Sequence, residues 1–116
     1  MQRRSPDFRA RVRFLSEEEG GRKSLARQGY RPDLAYKEGA FELFMIWPRF
    51  VDDALKEKED GAEIPASSQA DFGIVSPELK DAVHRQRIRP GTEFWMCEGQ
   101  KKVAEVIVTD LLEGLK

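Results

Sequence analysis

The segment Phe8-Arg9-Ala10-Arg11-Val12-Arg13-Phe14 alternates apolar residues with arginines at a period of two. Only an extended strand puts Phe8, Ala10, Val12 and Phe14 on one side and the three arginines on the other; a helix would scatter the arginines around its circumference. A chain containing this pattern must build a sheet with one buried and one solvated face. The following Ser16-Glu17-Glu18-Glu19-Gly20-Gly21 is made of poor strand formers and predicts a loop.

The same logic extends along the chain. Gly29 and Pro32 frame Tyr30 and Arg31, so the next strand starts around Asp33 and includes Leu34 and Tyr36. Phe41 to Trp47 reads as a strand covered on both sides and stopped by Pro48, which lacks the amide hydrogen a ladder needs. From Phe50 the pattern turns acidic, with room for one short helix near Val51 to Lys58. Residues 61–69, with Pro65, Ala66, Ser67 and Ser68, read as a mobile loop. After the short apolar run Phe72 to Val75, Ser76-Pro77-Glu78 carries helix N-cap chemistry for a turn or two through Leu79 and Val83. Pro90-Gly91 marks a turn. Strands Phe94 to Cys97 and Val103 to Val108 then form a hairpin across Glu98-Gly99-Gln100-Lys101-Lys102. Short strands joined by turns predict an antiparallel sandwich or small barrel, with 116 residues giving one domain over 1–116 and an acidic insertion at 50–70.

Composition narrows the function. The longest apolar run, Leu43 to Trp47, is far short of a membrane span, and no apolar stretch follows Met1-Gln2-Arg3-Arg4 to make an export signal. A lone cysteine, Cys97, cannot form an internal disulfide, which favours a reducing compartment and a cytoplasmic location. Charge is uneven: residues 1–36 hold nine basic against five acidic groups, and residues 37–116 hold eleven against sixteen. This asymmetry allows a basic face that meets phosphates.

The motifs that could carry catalysis fail on spacing. Gly20-Gly21-Arg22-Lys23-Ser24 resembles the end of a phosphate-binding P-loop but has the wrong register, so no nucleotide is expected there. His84 and Cys97 are single and lie in different elements; no metal spacing exists, and Cys97 at the end of an apolar strand reads as a small buried hydrophobe. The carboxylates of Glu17 to Glu19 and Asp52 to Glu63 run together as solvated faces. No enzyme, metal or cofactor is expected. Arg9, Arg11 and Arg13 stand roughly 7 Å apart, near the phosphate repeat of a nucleic-acid strand. Either they meet phosphates or they pair with acids on the adjacent strands.

Particular words in the sequence point further. Phe14-Leu15-Ser16-Glu17-Glu18-Glu19-Gly20-Gly21-Arg22, followed after six residues by Gly29-Tyr30-Arg31-Pro32, resembles the start of the third, C-terminal domain of elongation factor Tu. Gly91, Phe94, Glu98-Gly99, Lys101 and Val103 resemble that family's last hairpin, while residues 50–86 depart from it. The resemblance implies a closed six-stranded antiparallel barrel standing without a GTPase domain, similar to short bacterial relatives of that domain. It also implies a role near translation: in the factor this barrel holds the T-stem of tRNA by its backbone. Carried over by motif, Arg22 and Lys23 fall in the RNA-contacting loop, Glu98 and Gly99 on the hairpin that touches the same stem, and Arg31 at the same barrel end. Asp33 stands where the family usually has glutamine, and the Gly-Gly-Arg and Gly-Tyr-Arg-Pro blocks have a structural explanation as well, through glycine turns and packing of Tyr30. The resemblance thus leads to a non-enzymatic binding module that meets tRNA or structured RNA by its backbone. The alternative is a protein-interaction or decoy module that mimics the factor, using Trp47 and the acidic insertion to bind a protein partner.

Overall fold

The arginine-bearing strand forms as its alternation predicts. The computed structural model describes residues 5–116, so Arg3 and Arg4 of the basic segment, and the start tested for an export signal, lie outside the described residues. Strands β1 (Phe8–Phe14), β2 (Asp33–Tyr36), β3 (Phe44–Val51), β4 (Ser67–Ile74), β5 (Glu93–Glu98) and β6 (Lys101–Leu111) close into an antiparallel barrel in the order β1-β4-β3-β2-β5-β6. Phe8, Ala10 and Val12 point inward and are buried. Phe8 stacks on Phe72 with ring centroids 4.9 Å apart, and Phe94 meets both edge-on at 5.9 and 5.7 Å, filling the interior. The arginines on the other side pair largely with neighbouring strands: Arg9 with Asp71 of β4 at 2.7 Å and Arg13 with Glu105 of β6 at 2.6 Å.

Strand direction gives the barrel two distinct ends. β1, β3 and β5 finish at the upper end, where residues 15–32, 52–66 and 99–100 make the connections. The lower end carries residues 37–43 and the helical segment. That segment starts as expected, with Ser76 Oγ accepting from the Leu79 amide and Pro77 at the first position. It runs through α1 (Pro77–Leu79), a π-helical turn (Lys80–His84) and α2 (Arg85–Arg87). The widened turn seats His84, fully buried, against Phe44 and Tyr36, with Tyr36 Oη 2.6 Å from His84 Nδ1. Lys80 Nζ meets the buried Asp7 carboxylate at 2.7 Å, and the other Asp7 oxygen accepts from the Ile74 amide, tying the segment to β1 and β4.

Four expectations need correction. β3 does not stop at Pro48. The β2–β3 ladder comprises only Asp33↔Met45 and Leu34↔Phe44, so β3 beyond Met45 has an open side. The Phe50 amide and carbonyl bond the Gln28 side chain on that side, and Pro48, two residues earlier, turns its nitrogen the same way. No ladder bond is lost. Nor is β3 covered on both sides: Phe44, Ile46 and Phe50 are buried, while Met45 and Trp47 are exposed.

The helix expected over Val51 to Lys58 is a tight reversal instead. Asp52 Oδ1 accepts from the amides of Ala54 and Lys56, and Val51 bridges to Glu57, so the aspartate side chain organises a turn. The third correction concerns residues 61–69. β4 begins at Ser67, Ile64 is fully buried, and the Ile64 and Gln28 amides donate to the carbonyls of Ala26 and Ala62. A loop composition was read where backbone pairing to the β1–β2 connection supplies the order. The hairpin turn is also shorter than expected, two residues, because Glu98 pairs with Lys101.

Candidate functional site

The connection after β1 determines how the upper end is built. Ser16 to Gly21 closes a turn in which the Gly21 amide donates to the Ser16 carbonyl and Glu19 Oε1 accepts from the Ser16 amide. Gly21 lies against the Leu15 carbonyl, where a Cβ would clash with backbone, so the position requires glycine. The turn directs Arg22 towards the β5–β6 hairpin. There the Arg22 guanidinium pairs with the Glu98 carboxylate, lies 4.8 Å above the Tyr30 ring, and donates through Nε to the Ser24 carbonyl. Tyr30 donates its hydroxyl to the same Glu98 oxygen and packs on Phe14.

The electrostatics follow from this brace. Burial works against the Glu98 carboxylate, but hydrogen bonds from Tyr30 and Arg22 outweigh it and hold its pKa below the usual value. Burial, then the charge and hydrogen bond of Glu98, push the Tyr30 hydroxyl well above an ordinary phenol. Arg22 and Glu98 are therefore matched to each other.

The remaining cations of this end are differently placed. Lys23 follows Arg22 and is exposed, and Lys101 and Lys102 leave the Gly99-Gln100 turn, where Gly99 adopts a positive φ of 60°. Lys102 lies 4.8 Å over Trp95. Arg31 turns to the other side of the Tyr30 corner and lies 4.9 Å over Trp47 on β3. Among the described residues, none of Lys23, Arg31, Lys101 and Lys102 has a carboxylate within ion-pair distance. Of the five residues expected at the site, Arg22 and Glu98 meet directly, Gly99 follows Glu98 in the hairpin turn, Lys23 follows Arg22, and Arg31 stands on the β3 flank against Trp47. Sequence reasoning did not mark Lys101 and Lys102 as site residues; their position immediately after Glu98-Gly99 was the available signal. Asp33, half-buried at the start of β2, lies opposite Met45 and Cys97.

The flank of β1 contains one further unmatched cation. Arg11 stands between the paired Arg9 and Arg13 and faces an open groove of about 380 Å³ lined by Asp52, Lys58, Ser67 and Gln69.

The residues with catalytic chemistry are separated. Cys97, 1% exposed, is at the upper end, and burial pushes its thiol pKa up. His84 is at the lower end, where burial first and Arg87 second push its pKa down to about 4, against a smaller opposing effect of Asp7. Among the described residues no three His, Cys, Asp or Glu side chains converge as a metal site, and no helix is long and apolar enough to cross a membrane. No protein-family model matches the sequence, and no curated protein matches it closely enough to indicate a relative.

Proposed function

We propose that this protein is a non-enzymatic binding module whose upper barrel end holds the phosphate backbone of structured RNA, in the manner implied by the resemblance to the third domain of elongation factor Tu. One observation carries the reading. Lys23, Arg31 and Lys102 stand around the Arg22–Glu98 brace with no carboxylate at ion-pair distance among the described residues, and Lys101 feels only Glu98, across the hairpin turn and already held by Arg22, whereas Arg9, Arg13, Lys37 and Arg49 on the flanks each hold a carboxylate directly. Unmatched cations on a rigid hairpin and a braced loop suit phosphates, which are contacted without regard to sequence and with strong dependence on salt. In this reading Arg22 positions the loop through Glu98 while its neighbours make the contacts.

The test is anisotropy of a labelled duplex RNA of random sequence at low and near-physiological salt. Affinity falls with salt, and replacing Lys23, Lys101 and Lys102 together by alanine flattens the log–log slope by roughly one per lysine. The Arg11→Ala variant removes a cation from the groove beside Asp52 and Asp53, apart from the Arg22–Glu98 brace, and leaves the slope unchanged. Absence of binding at low salt, or a slope indifferent to the three lysines, overturns the reading.

A further inference from the structure

Beside the upper end, the outer face of β3 carries a shallow recess that adjoins the phosphate contacts through Arg31. Trp47 is 37% exposed in the middle of the strand, with Met45, 56% exposed, two residues away on the same face. Directly across the β3–β4 ladder from Trp47 stands Gly73. A Cβ built at Gly73 would meet only the Trp47 carbonyl oxygen, at 3.9 Å, so the space above it is open. Glycine within a strand commonly marks a place where something approaches the backbone closely. Here it leaves a floor beside an indole wall.

The charges around this recess lean basic, two arginines at the Trp47 ring against one carboxylate, Asp33, opposite Met45 on β2, which suits a nucleobase with its phosphate on the arginine side. Arg49 lies 5.6 Å from the Trp47 ring and is anchored by Glu57 and Asp60. Arg31 lies 4.9 Å from the ring, is exposed, and has no carboxylate partner among the described residues. Asp71, the carboxylate two residues before Gly73 on β4, is engaged by Arg9. An arginine resting on an exposed indole is weakly held, whereas a base stacked on the same ring gains more, so the exchange is favourable and frees Arg31 for the adjoining phosphate.

We infer that Trp47, over Gly73 and flanked by Arg31 and Arg49, forms a stacking recess for an unpaired nucleotide, so that the RNA partner is a duplex joined to a single-stranded base. The inference rests on the proposed RNA reading and names the part of the RNA that reading leaves open.

The experiment uses a blunt RNA duplex and the same duplex with a short single-stranded overhang, titrated against the full chain. The overhang raises affinity by about tenfold, the size of one base–aromatic stack. Trp47→Ala and Gly73→Val each remove that gain, and Gly73→Val, which leaves Arg31 on its indole, keeps the blunt-duplex affinity as it was. Gly73 is the cleaner site, because its backbone is not in the left-handed region and a side chain there meets open space. In a Trp95→Phe protein, the remaining Trp47 fluorescence is quenched by the overhang and not by the blunt duplex. An overhang without effect, or a gain that survives both substitutions, overturns the recess while blunt-duplex binding keeps the phosphate reading. Binding of single-stranded RNA through Trp47 with no blunt-duplex binding does the reverse, and binding of neither RNA removes both.

Discussion

The buried histidine makes stability depend on pH in a way that can be calculated. His84 is the only histidine in the chain, fully buried against Phe44 and Tyr36, with Nδ1 bonded to the Tyr36 hydroxyl and Nε2 without a hydrogen-bond partner among the described residues. Its charged neighbours are Arg87, which opposes protonation, and Asp7, which favours it less strongly than burial and Arg87 oppose it. The native pKa of about 4 lies below the ordinary 6.5. Between those values the unfolded chain takes up a proton that the native protein does not, so stability is retained above pH 6.5 and falls as pH drops through the window. At pH 5 the loss relative to pH 8 comes to about 2 kcal/mol. With a urea m-value of roughly 1–3 kcal/mol/M, the midpoint followed by tryptophan fluorescence moves down by on the order of 1 M. Carboxylates such as Glu98 also titrate on acidification, so the relevant quantity is the difference between wild type and His84→Gln. The variant starts lower, having lost its aromatic contact with Phe44, but declines less between pH 8 and pH 5 by that same amount. Parallel decline of the two proteins would refute the argument that His84 is held neutral by burial.

Other outcomes follow from packing and hydrogen bonding. Gln28→Ala leaves the buried Phe50 amide without its bond and destabilises the fold by about 2–3 kcal/mol, with faster hydrogen exchange at Phe50 as the local readout. Phe72→Ala opens a cavity against Phe8 and Phe94 and costs about 3–5 kcal/mol in urea unfolding, a large share of the stability of a small domain. Removing Arg13, whose carboxylate partners are exposed, changes the unfolding midpoint little, since surface ion pairs contribute about 0–1 kcal/mol. A thiol reagent modifies Cys97 slowly in the native protein and rapidly in denaturant, because the thiol is buried and held protonated; fast native modification would contradict its placement.

What was legible in the sequence depended on the range of the interaction. β1, β2 and the final hairpin were readable because side-chain alternation and turn residues are encoded within a few positions. The Ser76 cap and its proline were readable for the same reason. Errors fell where partners distant along the chain decide the outcome. Pro48 looks like a strand terminator until Gln28, twenty-two residues before Phe50, is found occupying the open side of β3. Residues 61–69 look mobile until Ile64 is seen in the core and pairing with Ala26.

The candidate site divides in the same way. Arg22, Lys23, Glu98, Gly99 and Arg31 were named from local words in the chain, and the closed six-stranded barrel, though not its strand order, was implied by resemblance. That Arg22 holds Glu98 while Lys23, Arg31 and Lys102 have no carboxylate at ion-pair distance among the described residues, and that exposed Trp47 faces Gly73 across the ladder, became visible only in the folded barrel. By itself the sequence determined the faces of β1, the glycine turn after it, the Ser76 cap and the inventory of charges, since these depend on local periodicity and residue chemistry. Only the tertiary structure decided which charges neutralise one another and which surfaces remain open, because barrel closure brings together residues far apart in the chain, and pairing energies depend on distance and burial.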